Sequence, residues 1–90
     1  MKSIPHIIMW VSKKEFSVET DEFRKKLGIK IQSLRKSRNI TQEEMDDGSE
    51  LSVHFRTIQE IESGRANTTI NTILKISKRF KVKPKDLLDI

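Results

Sequence analysis

The chain has 90 residues, with 18 Lys and Arg set against 13 Asp and Glu, for a formal charge of +5 and a pI near 9.7. A chain this short is one domain that buries about 60% of its unfolded surface, and 34% hydrophobic residues suffice for one small core but not for an enlarged catalytic cleft. The absence of cysteine excludes disulfide frameworks, thiolate zinc sites and cysteine nucleophiles, while the basic balance points to a polyanion as partner.

Residues 1–20 read as an amino-terminal arm. Ile4, Ile7, Ile8 and Val11 have helical spacing, whereas Ile8-Met9-Trp10-Val11 also suits a strand. Two readings of this arm stay open: packing on its own domain, or exchange across a dimer that hides the Ile/Met/Trp patch. The apolar run is too short to span a bilayer, and Lys13-Lys14-Glu15 stands where a signal peptide needs small residues. The protein is therefore expected in the cytoplasm, with no membrane partner.

Residues 21–90 read as the folded domain. A first helix is expected from Thr20 as N-cap, with Phe23, Leu27, Ile31 and Leu34 on one face and basic residues on the others, ending near Arg38-Asn39. Gly28 in its middle costs about 1 kcal/mol relative to Ala, so it marks close packing. Thr41-Gln42-Glu43-Glu44 has the form of a capping box for a short second helix that stops around Asp47-Gly48. A third helix starts near Val53 or His54, carries Phe55, Ile58 and Ile61, and ends at Ser63-Gly64 with glycine as C′ residue. Thr68 or Thr69 caps a fourth helix with a stripe of Ile70, Ile73, Leu74 and Phe80, and Pro84 opens a fifth with Leu87 and Leu88. Five helices with short connections make an all-α bundle.

Charge is unevenly distributed along these elements. Residues 1–38 carry a net +6 and residues 63–90 a net +5, but residues 39–62 carry −6, with Arg56 as their only basic side chain. Two short helices joined by a tight turn, inside a small basic all-α domain, is the geometry that presents one helix to a DNA groove.

From Leu27 to Leu88 the chain resembles the Cro/CI-type helix-turn-helix family, also called the xenobiotic-response-element (XRE) family. The residues that carry the resemblance are Leu34-Arg35-Lys36, Ile40-Thr41-Gln42-Glu43-Glu44-Met45, the block from Arg56 to Arg65, Thr72-Ile73-Leu74-Lys75-Ile76-Ser77-Lys78, and the closing Val82 to Leu88. Such a resemblance implies a five-helix, lambda-repressor-like DNA-binding bundle, here with an amino-terminal extension, acting as a transcriptional regulator on double-stranded DNA. It further implies a homodimer on a two-fold-symmetric operator. The chain departs from the family between Met45 and Leu51, where it has two more residues, and at Asp46 and Asp47, where small or neutral residues are usual.

The resemblance places Gln42 against a phosphate, which a helix N-terminus favours; its alternative is an exposed first-turn residue. Arg56 offers its fork to guanine O6 and N7, or pairs with Glu60 at i+4. Phe55 packs on a thymine methyl or in the core, and His54 faces the groove or solvent. Thr57 belongs to the same block. Gln59 and Glu60 face away from Ile58 and Ile61, towards the groove or open water, and Glu60 is suited to cytosine N4. Arg65 and Asn67, with Thr68 and Thr69, offer a phosphate clamp or plain loop polarity. Lys75, Lys78, Arg79 and Lys81 read as a solvated face. Arg35 and Glu62 resemble the family's buried pair joining the first and third helices.

No catalytic set can be drawn. His6 and His54 lack ligand spacing with a carboxylate, and there is no glycine-rich phosphate loop, so neither a metal nor a cofactor is expected. The leading expectation is a sequence-specific repressor. The alternative is an antitoxin that binds a toxin, or another protein-interaction module on the same fold. A restriction-modification controller protein is a variant of the leading reading.

Overall fold

The computed structural model describes residues 11–90; the expectations for Ile4 to Trp10, and for His6, lie outside the described residues. Those described form four α-helices and one short 3-10 helix: α1 Lys13–Ser37, the 3-10 helix Glu43–Met45, α2 Phe55–Glu62, α3 Ile70–Phe80 and α4 Pro84–Leu87. The all-α architecture agrees with the sequence reading, but the expected second helix is only a 3-10 turn. Its capping box forms, with Thr41 N–H donating to Glu44 Oε1 at 2.7 Å and Glu44 N–H to Thr41 Oγ at 3.1 Å. Propagation then stops at Asp46, because Asp46, Asp47, Gly48 and Ser49 favour turn conformations and Gly48 takes a φ of +75°.

The first helix also begins earlier than expected. Ser12 and Glu15 close a capping box of their own, with Glu15 N–H donating to Ser12 Oγ at 3.0 Å and Ser12 N–H to Glu15 Oε1 at 3.1 Å. Thr20 sits inside the helix instead, its hydroxyl donating to Phe16 O at 2.7 Å. The 25-residue helix buries Leu27, Gly28, Ile31 and Arg35, all in its second half. Asn39, with a φ of 55°, ends it in the left-handed conformation that asparagine tolerates.

Gly28 is where α1 and α2 meet. A Cβ built there would overlap Ile61 O and lie 2.9 Å from Glu62 O, so only glycine lets the two backbones touch. Around this contact the core gathers Leu27, Ile31, Met45, Val53, Ile58, Ile61, Ile76, Phe80 and Leu87. Thr69 caps α3, accepting from Thr72 N–H at 3.1 Å, and Pro84 occupies the first turn of α4, as the sequence indicated. Arg38 ties the end of α1 to that of α3, donating from Nε to Phe80 O at 2.7 Å while its guanidinium lies 5.7 Å from the centre of the Phe80 ring.

Part of the expected apolar stripe lies outside the core. Phe23, Leu74 and Leu88 are about half exposed and Ile70 is 80% exposed. Phe23 precedes the point where α1 reaches α2, and Ile70 is the first residue of α3, before that helix dips into the core. Together with Phe16 they line a groove of about 670 Å³ between the first half of α1, α3 and α4.

Candidate nucleic-acid interface

The position of α2 is fixed at both ends. At its start two side chains fill orphan amide donors: Asp46 Oδ2 accepts from Phe55 N–H at 3.1 Å and His54 Nδ1 from Arg56 N–H at 3.2 Å. Ser63 and Gly64 close its other end, Gly64 with a φ of +80°.

Glu62, in the last turn of α2, is the hub of a buried network. Arg35 donates to it bidentately, from Nε to Oε2 at 2.7 Å and from Nη2 to Oε1 at 3.0 Å, and its Nη1 reaches Ile40 O at 2.7 Å. Gln42 Nε2 donates to Glu62 Oε1 at 2.9 Å and Gln32 Nε2 to the same oxygen at 3.3 Å. The side chains of Arg35 and Glu62 are 9% and 2% exposed. Hydrogen bonding to Glu62 raises the pKa of Arg35 further above its ordinary value and outweighs the desolvation of burial. This carboxylate thus binds the end of α2 to α1 and to the start of the 3-10 helix. Gln42 is half-buried and turned towards it, so its side chain is held within the fold rather than standing as an exposed first-turn residue.

Between these anchors α2 shows one polar face. Arg56, Gln59, Glu60 and Ser63 are exposed at i, i+3, i+4 and i+7, while Ile58 and Ile61 are buried opposite. Arg56 forms no ion pair with Glu60 among the described residues, so the alternative of an i+4 pair is not met and its guanidinium stays available. His54, the N-cap of α2, is exposed, and Phe55 and Thr57 are half-buried. Beyond α2, Arg65 is exposed. Asn67 faces α1, where its Oδ1 accepts from Arg24 Nε at 3.0 Å and from Arg24 Nη2.

The acidic middle segment is largely absorbed by the structure. Glu44 and Asp46 cap helix starts, Glu62 holds Arg35, and Asp47 accepts from Ser49 N–H at 3.0 Å while pairing with Arg79 at 3.0 Å. The Thr41 amide and hydroxyl hold the Glu44 carboxyl below its ordinary pKa, and those of Ser49, helped by Arg79, do the same for Asp47. These are structural carboxylates, and their charge is answered within the fold. Arg79 corrects the reading of α3 as bearing a solvated basic face. It is mostly buried, donating to Glu44 O at 2.8 Å as well as to Asp47, and Lys75 Nζ approaches Ser52 O at 3.5 Å.

No helix among the described residues is long and apolar enough to cross a membrane, and no cluster of potential metal ligands occurs among them. A family profile described as helix-turn-helix matches residues 31–87, which is more than half of the chain. The chain is also similar to Control protein C.BamHI of Bacillus amyloliquefaciens, with 39% identity over 71 residues, covering 78% of this chain and 85% of that relative. With two anchored helical elements, an exposed polar face on the second, and these two matches, the chain belongs to the XRE-type helix-turn-helix family of DNA-binding transcription regulators.

Proposed function

We propose that the protein reads a specific double-stranded DNA sequence through α2 and regulates transcription as a homodimer on a palindromic operator, in the manner of a restriction-modification controller. The observation that carries the reading is the stripe of Arg56, Gln59, Glu60 and Ser63, exposed on a helix held at both ends. Arg56 is the base-reading cation, bidentate to guanine O6 and N7. Glu60 accepts from cytosine N4 and repels phosphates elsewhere, so it discriminates rather than adds affinity. His54, Phe55, Thr57 and Gln59 fill out the base-facing surface, and the free N–H of Gln42, with Arg65 and Asn67, contacts the backbone on either side.

The controller assignment draws on the similarity to a relative named as a control protein. The homodimer draws on the groove, since several large exposed apolar side chains on one face of a small domain mark an interaction surface. A second copy of the chain is the occupant this reading supplies.

Selection from a random DNA library, followed by salt-titrated binding, tests the proposal. A palindromic motif with half-sites about one helical turn apart, and a steep fall of affinity with salt, is the expected result. Arg56→Ala should cost about 1–3 kcal/mol and relax one position of the motif. Uniform weak binding without an enriched motif refutes the sequence-specific reading. A methyltransferase or endonuclease gene beside this one is what the controller assignment expects.

A further inference from the structure

We infer that Arg79 and Asp47 form a latch that sets the angle at which α2 meets DNA, so that two residues remote from the polar face of α2 determine its specificity. This rests on the DNA-binding reading and deepens it. The turn between the 3-10 helix and α2 runs from Asp46 to His54 and is exposed over much of its length. Its internal bonds are local: Ser49 N–H to Asp47 Oδ1 at 3.0 Å, Gly48 N–H to Ser52 Oγ at 3.2 Å, and Val53 N–H to Met45 O at 2.8 Å. A turn of this length closed only on itself would leave several orientations open to the helix that follows.

The outside constraint comes from α3. Its inner face is seated in the core through Ile76 and Phe80, so its outer side chains project from a fixed rod. Lys75 and Arg79 stand one helical turn apart on that rod and grip the turn at two places. Arg79 Nη2 donates to Glu44 O at 2.8 Å and meets Asp47 Oδ2 at 3.0 Å, where the turn begins; Lys75 reaches Ser52 O at 3.5 Å, where it ends. Next to Asp47, Asp46 accepts from Phe55 N–H, the first amide of α2. A path of direct contacts therefore runs from α3 through Arg79, Asp47 and Asp46 to the end of α2 that carries His54 and Arg56. Arg79 is a positioning residue: its guanidinium is spent on Glu44 O and Asp47, and it acts on DNA through them.

The test compares the full-length protein with Arg79→Gln, Asp47→Asn and the double variant. Each is assayed for folding by circular dichroism and thermal melting, and for binding to the selected motif and its single-base variants over a salt titration. Asp47 is well exposed, so Asp47→Asn should stay folded and keeps the measurement interpretable even if Arg79→Gln does not. The expected result is that each single variant flattens the preference at the bases nearest His54 and Arg56 by roughly tenfold. The double variant should be no worse than either single, as for two parts of one latch. The salt slope should stay unchanged. A slope reduced by about one for Arg79→Gln marks a direct phosphate contact and overturns the latch. So does an unaltered base preference in folded Asp47→Asn. If the parent protein selects no motif, the DNA reading itself fails; if it selects one that the variants preserve, only the latch does.

Discussion

The turn before α2 and the groove beside α1 are built on opposite principles. The turn is polar and acidic, yet its carboxylates and its chain reversal are answered inside the monomer, by Ser49 and Ser52 of the turn itself and by Arg79 of α3 and the amide of Phe55 beside it. The groove is apolar, and its Phe16, Phe23, Ile70, Leu74 and Leu88 are left facing water. A region whose polar groups are satisfied by the rest of its own fold, Arg79 of α3 included, holds a fixed geometry without a partner molecule. One whose apolar surface stays exposed at about 25 cal/mol per Å² gains only when something covers it. Within one small domain, the first kind of region fixes the start of α2 and the second is the surface that the proposed homodimer would cover.

The largest expected effect tests the internally satisfied side. Glu62→Ala strands Arg35, Gln32 and Gln42 in a site where the pair is almost wholly buried, and should destabilise by about 3–5 kcal/mol in chemical denaturation. A loss below about 1 kcal/mol would mean that the pair behaves as an exposed one. Gly28→Ala comes next. Alanine is ordinarily better in a helix by about 1 kcal/mol, yet here the new methyl must push α1 away from Ile61 O and Glu62 O, so a net loss of about 1–3 kcal/mol is expected.

Thr41→Ala removes one capping acceptor and should cost about 1 kcal/mol. It should also blunt the acid sensitivity. Glu44 and Asp47 have lowered pKa values in the folded protein, so their stabilisation is complete above the unfolded carboxylate range, near pH 4. It is lost as the pH falls through their lowered folded values. Unfolding free energies measured from pH 6 down to 2 should decline less steeply in the variant. The smallest stability effect tests the apolar side. Ile70→Glu changes an 80% exposed residue and should alter folding by no more than about 0.5 kcal/mol. Its sedimentation should nevertheless shift towards monomer, and an unchanged dimer would place the two-fold contact elsewhere.

What could be read beforehand follows the same division. Local signals were legible: the Thr41/Glu44 box, the Thr69 cap, Gly64 at the end of α2 and Pro84 at the start of α4 all act over a few residues of chain. The exposed stripe of α2 was legible because the spacing of Ile58 and Ile61 fixes what lies opposite. Ser12 and Glu15 form as good a box as Thr41 and Glu44, but no buried apolar stripe follows directly to announce a helix start there, so the sequence points to Thr20 instead. The grip of Arg79 on the turn was illegible for a different reason. It joins residues more than thirty positions apart, and nothing local separates a lysine-rich solvated face from one that reaches across.

The cap at the head of α2 has a consequence for what the protein can recognise. With His54 Nδ1 accepting the Arg56 amide proton, the neutral imidazole must carry its own hydrogen on Nε2, at an exposed position. The backbone thereby favours one tautomer, and on the proposed DNA reading the ring would meet a groove as a donor alone. Guanine N7 and O6, adenine N7 and thymine O4 can receive it; the amino groups of cytosine and adenine cannot. Under the proposed function, a bond made for folding thus narrows what this residue would read before any DNA arrives.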